Sequence, residues 1–147
     1  MAKEKLLFTI DINAPCEHVW EILWSDASYR EWAAIFYPGS HAVSDWQEGS
    51  KILFLSPDGD GMTSRIAKLT PNAFMSFEHL GEVKNGVEDF TVAEEKGWSG
   101  AHENYTLVPE GNTTQLSVEL DIDGTYSDYF KDTFPKALSK VKELSEQ

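Results

Sequence analysis

Cysteine is nearly absent. Cys16 is the only one in 147 residues, which excludes an internal disulfide. Long apolar runs are missing too: none reaches bilayer length, and Met1 to Lys5 show no stretch like a signal peptide. A cytoplasmic location is therefore expected. Positive charge is scarce, with 12 Lys and Arg against 25 Asp and Glu, a net charge of −13. A surface of that sign repels phosphate backbones and anionic headgroups, so neither nucleic acid nor a membrane is expected as a partner. Repeats, linkers and low-complexity tracts are absent, which predicts one domain over residues 1–147.

Signatures of chemistry are equally sparse. His18, His41, His79 and His102 are scattered without paired ligand spacing, so no metal is expected. Asp58-Gly59-Asp60-Gly61 has no closing glutamate for a calcium loop and is a turn. No Gly-x-Ser-x-Gly elbow is present. Cys16, in the first turn of a predicted helix, has only His18 nearby, and the two point to different sides. No catalytic residue and no cofactor is assigned.

What the chain does have is clear periodicity. Leu6, Phe8, Ile10 and Ile12 alternate with polar partners and predict a strand with one buried face. Ala14-Pro15 ends it and opens a helix with a stripe of Val19, Trp20 and Leu23. Ser28 and Glu31, at capping-box spacing, predict a second short helix with Tyr29, Trp32 and Ala33 inside. Strands are predicted over 41–46, 51–55, 62–69 and 74–80, then two more around Tyr105 and over Leu116 to Ile122, joined at Glu110-Gly111-Asn112. Residues 81–97 form an acidic loop that docks weakly, with one helical turn where Thr91 and Glu94 share capping-box spacing. Tyr126, Phe130, Phe134, Ala137, Leu138 and Val141 recur at three and four residues and predict a long last helix, with Pro135 removing its bond to the Lys131 carbonyl. Strands and helices segregated in this way predict an α+β fold, an antiparallel sheet covered by the C-terminal helix.

Ala14-Pro15 with Val19-Trp20, then Trp32, Gly49 before Ile52 and Phe54, Gly100 to Leu107, and Tyr129-Phe130 with Phe134-Pro135-Lys136-Ala137-Leu138 form an ordered set over nearly the whole chain. That set resembles the activator-of-heat-shock-protein-90-ATPase-like family, within the START-related, birch-pollen-allergen-like SRPBCC superfamily. The resemblance implies a helix-grip fold with a cavity between a curved sheet and a long helix. Members of the wider group bind lipids, sterols, polyketides or other apolar molecules, and a few are enzymes. The eukaryotic co-chaperone of the family is larger and carries a separate N-terminal domain that contributes to chaperone binding. No shared catalytic motif is carried over.

Side-chain phase places one polar group inside. If Tyr105 and Leu107 face the helix, so does Glu103. His79 faces inward if Met75 and Phe77 do, and Phe74 and Leu80 argue for the opposite phase. A buried carboxylate needs a partner, and His79 or Arg65 could supply it. The expected cavity wall is Phe54, Phe77, His79, Glu103, Tyr105, Phe130 and Phe134. The leading expectation is a small apolar or amphipathic ligand in that cavity. A chaperone bound through the surface, or an enzyme of the cyclase, hydratase or hydrolase kind using Glu103, are the alternatives.

Overall fold

The computed structural model describes residues 3–147; Met1 and Ala2, the start of the N-terminal segment read above, lie outside them. The order is β1 (Lys3–Ile12), α1 (Cys16–Trp24), α2 (Asp26–Ala33), β2 (His41–Val43), β3 (Lys51–Leu55), β4 (Gly61–Thr70), β5 (Phe74–Lys84), β6 (Val87–Asp89), α3 (Thr91–Lys96), β7 (Ala101–Glu110), β8 (Thr113–Asp123), a 3-10 turn (Gly124–Tyr126) and α4 (Ser127–Ser145). The strands form one antiparallel sheet, ordered β1-β8-β7-β5-β4-β3-β2, with β6 paired to β5. This is the curved sheet with a long C-terminal helix expected of a helix-grip fold.

Alternation decides which face is inside. Leu6 and Ile12 of β1, Ile52 of β3, Ile66 of β4, Met75 and Phe77 of β5, Tyr105 and Leu107 of β7, and Leu116, Val118 and Leu120 of β8 are all buried. The helices close over them through Val19, Leu23, Trp24, Tyr29 and Trp32, and through Phe134, Ala137, Leu138 and Val141 of α4. Trp32 Nε1 donates to the Leu23 carbonyl at 3.1 Å, which ties α2 to the end of α1. Phe8 stacks on Phe134 at 5.1 Å between ring centres, seating α4 on β1.

The structure corrects five of these expectations. The second helix starts at Asp26, not Ser28, whose hydroxyl instead donates to the Ser25 carbonyl one turn back. Tyr126 falls in the 3-10 turn before α4 and is 56% exposed, so the buried stripe begins later. The strand expected to reach Trp46 stops at Val43; Trp46 has φ 60°, outside strand geometry. Residues 81–97 are not a loop. β5 continues to Lys84 and turns back at Asn85 and Gly86, with φ 51° and 80°, into β6. Asn-Gly is a favoured type I′ turn pair, a hairpin signal within the supposed loop. The helical turn does form as α3, but without a capping box: Phe90 is its N-cap, and Asp89 Oδ1, one residue earlier, accepts from both the backbone N–H and the hydroxyl of Thr91.

One irregularity matters for the site. β4 and β5 pair Ser64 with His79 and then Thr63 with Gly81, so Leu80 is an extra residue in β5. Beyond it the facing of β5 is reset. Glu82 pairs with Met62, which pairs with Phe54, so all three share the inner face. Gly81 takes the outer side, where a Cβ would lie 2.7 Å from the Asp89 carbonyl oxygen as the chain crosses over it.

Pro135 lies within α4, which spans its full length unbroken. Its missing N–H leaves the Lys131 carbonyl without its helical donor, on the exposed side of the helix, where water can serve it. Pro135→Ala restores that bond without touching the buried stripe. It should raise unfolding stability by about 1–3 kcal/mol in urea denaturation. A loss of stability would show instead that a proline bend is needed to seat Phe130 and Phe134.

Candidate functional site

α4 makes its main contacts with β1, α1 and α2. The inner faces of β3, β4 and β5 lie on the other side of the molecule, and a cavity of about 830 Å³ opens between them and the helices. The seven residues expected from the sequence, Phe54, Phe77, His79, Glu103, Tyr105, Phe130 and Phe134, all border it. They come from β3, β5, β7 and α4, so only the folded sheet brings them together. Trp24, Tyr29, Trp32 and Leu120 also line the cavity, as do Met62, Trp98 and Ile122. The wall aromatics meet largely edge to face: Trp24 lies 4.9 Å from Tyr105 and 5.3 Å from Phe77, and Phe54 lies 5.1 Å from Phe77. Edge-to-face rings hold one another at fixed angles and do not collapse into the remaining space.

The polar centre is Glu103. Phe77 is its neighbour on β5 and Leu120 its neighbour on β8. His79 Nε2 lies 3.0 Å from Glu103 Oε1, and the Tyr105 hydroxyl donates to Glu103 Oε2. Ser64 Oγ lies 2.7 Å from His79 Nδ1 on the far side of the ring. An ionised carboxylate only accepts, so Nε2 carries the hydrogen facing Glu103, and Nδ1 accepts from Ser64 when the imidazole is neutral. The phase left open in the sequence is thereby settled: Met75, Phe77 and His79 are buried on the inner side. Arg65 is not the partner. It lies on the outer face and pairs with Glu78 at 2.7 Å.

Serine, histidine and glutamate in a hydrogen-bonded row have the composition of a nucleophilic triad, but the order is wrong for one. Ser64 is 1% exposed and lies behind His79, outside the cavity wall, so a substrate in the cavity does not meet its hydroxyl. Ser64 orients the ring; His79 and Glu103 border the cavity, and Glu103, with 23% of its side chain exposed against 9% for His79, is the more open of the two. The sequence reading missed Ser64, although alternation from Ile66 places it inside. Burial, and next the charge of Glu103, holds the Tyr29 phenol well above the usual tyrosine range. Burial first, then the charge and hydrogen bond of Glu103, does the same to Tyr105.

The mouth is set by different elements. Tyr37 follows α2, Tyr126 and Tyr129 lie at the start of α4, and all three are exposed. Tyr129 donates to the Phe36 carbonyl at 2.9 Å, joining the two sides of this rim. Asp60, Glu82, Lys84 and Lys96 add charge, Glu82 through the reset behind Leu80, and Asp121 also borders the cavity but is paired with Lys5 at 3.6 Å. Among the described residues, no group of His, Cys, Asp and Glu is arranged to hold a metal, and no helix is long and apolar enough to cross a membrane.

Comparison with known proteins follows the same lines. The solution structure of the Aha1 dimer from Colwellia psychrerythraea is similar with a TM-score of 0.74 at 20% identity, over 97% of this chain and 96% of that one. Protein MLL2253 from Mesorhizobium loti has a TM-score of 0.72 at 16% identity, over 96% of each chain. CalU16 from Micromonospora echinospora has a TM-score of 0.68 at 13% identity, over 99% of this chain and 77% of that one. Identities this low establish the fold alone. No curated protein matches in sequence. The family model described as Activator of Hsp90 ATPase homolog 1-like protein, however, matches residues 13–146, nearly the entire chain, and the chain belongs to that family.

Proposed function

We propose that the chain binds a small apolar or amphipathic molecule in the cavity between the sheet and α4. The observation that carries this reading is the cavity itself: about 830 Å³, walled by aromatic rings, with one tethered carboxylate reaching into it. Single-ligand pockets commonly span about 300–1,000 Å³ and combine an apolar wall with a few placed polar groups. The volume would hold roughly 28 waters at about 30 Å³ each, far more than the polar groups of the wall can satisfy. Replacing them with apolar ligand surface contributes about 25 cal/mol for each Å² buried.

Leu120 borders the cavity beside Glu103, and a larger side chain there fills the space directly. Leu120→Trp should weaken binding of the neutral fluorescent probe N-phenyl-1-naphthylamine at least tenfold, with the folded state checked by circular dichroism. Equal affinity in a folded variant would place the probe elsewhere. Native mass spectrometry of the chain purified from its own cells should show a retained small molecule.

Family membership favours a second reading, docking on a chaperone of the Hsp90 class. The exposed Tyr37, Tyr126 and Tyr129 beside the mouth would then be the contact surface. Stimulation of a purified Hsp90 ATPase by the chain, lost in Tyr126→Ala, would support this reading.

The two raised tyrosines give a pH signature. A phenol whose folded pKa exceeds its unfolded pKa contributes fully below about pH 10 and loses that contribution as pH rises toward the folded value. Tyr29 and Tyr105 should therefore ionise only as the chain unfolds, seen as a late step in absorbance at 295 nm that coincides with loss of near-ultraviolet circular dichroism. Ionisation of all five tyrosines ahead of unfolding would show that these two phenols are not buried as described.

A further inference from the structure

Resting on the ligand-binding reading, we propose that the cavity selects an organic cation: a molecule whose amine or ammonium group sits against Glu103, with its apolar part along Phe130 and Phe134. Glu103 receives two donors, one from an imidazole and one from a phenol. Neither a Lys nor an Arg pairs with it among the described residues. With the imidazole neutral, the two donors fix the direction of the carboxylate but leave its charge in place, and each oxygen keeps a lone pair for a further donor. A buried charge left uncompensated is costly, and a ligand cation is what would compensate it.

The surroundings point the same way. Tyr29, Phe54 and Tyr105 stand in the wall with Glu103, and electron-rich ring faces attract cations and disfavour anions. The two phenols keep their protons beside the carboxylate, so neither adds a second negative charge nor supplies a positive one. At the mouth Asp60 and Glu82 balance Lys84 and Lys96, while Asp121 is paired with Lys5, so the acidic sign comes from the chain as a whole, with its net charge of −13. That field raises the local concentration of cations and lowers that of anions. A carboxylate ligand of equal length would approach a chain of like net charge and meet the like charge of Glu103 at the end of its path. His79 is the competing source of positive charge. An imidazolium there would neutralise Glu103 from within and leave an amine no advantage over an alcohol.

The test uses three probes of one chain length, octylammonium, octanol and octanoate, titrated by calorimetry into the whole chain at pH 7 and about 150 mM salt, where exposed charges more than about 8 Å apart are screened. Octylammonium should bind at least tenfold tighter than octanol, and octanoate weakest. Glu103→Gln should bring the amine-to-alcohol ratio to within about twofold. This variant can keep the network, since the amide can accept from Tyr105 and donate to His79 in its other tautomer. Octanol or octanoate binding as tightly as the amine overturns the cation proposal and leaves the cavity reading standing. An amine preference that persists in Glu103→Gln assigns it to general surface charge and also overturns the proposal. Binding of none of the three overturns the cavity reading along with it.

Discussion

A bent sheet presents more inner surface than one straight helix can cover. Here α4 lies along β1 and the two short helices, anchored by Phe8 on Phe134. The faces of β3, β4 and β5 are left to be covered by something else. Small side chains would let the layers close together; this chain has Trp24, Trp32, Phe54, Phe77 and Tyr105 instead. Rings braced edge to face keep their distance. The cavity follows from that mismatch in shape, and the polar site is arranged around it.

Within the cavity, the row from Ser64 through His79 to Glu103 and Tyr105 reconciles a carboxylate with an apolar wall. Each member satisfies its neighbour, so the carboxylate is held in one direction. The extra residue at Leu80 is part of the same construction. Straight pairing would send Glu82 to the outer face; the bulge returns it to the mouth and lets the β5–β6 hairpin and α3 form the rim. Glu88 of that hairpin is held below the usual carboxylate range by its hydrogen bonds to Lys51 and Thr63, which moor the rim to the sheet.

Much of this was legible in the residues. Period-two runs gave β1 and β8, and alternation from Tyr105 gave the inward Glu103. The residues that resisted did so for physical reasons. Leu80 contradicted the inward phase of His79 because it is the extra residue of a bulge, which leaves no mark that apolar alternation can detect, and Phe74 is a half-buried ring in the outward phase of Ser76 and Glu78. The turn at Asn85-Gly86 carried its own signal, masked by the acidic residues around it. Tyr126 had helical spacing but sits just before the helix, where the 3-10 turn directs its ring outward. Tyr29 was recognised as buried, yet its place in a cavity wall depends on how much space the opposing rings leave, which no spacing rule reports.

On the ligand-binding reading, the ligand lies in the space beside Glu103. Isotope-filtered nuclear Overhauser measurements on labelled protein with an unlabelled alkyl ligand address this directly. A ligand held there should show contacts from its chain to ring protons of Phe54 and Phe77 on the sheet side and of Phe130 and Phe134 on the α4 side. Contacts confined to the exposed Tyr37, Tyr126 and Tyr129, with none to the inner rings, would contradict it.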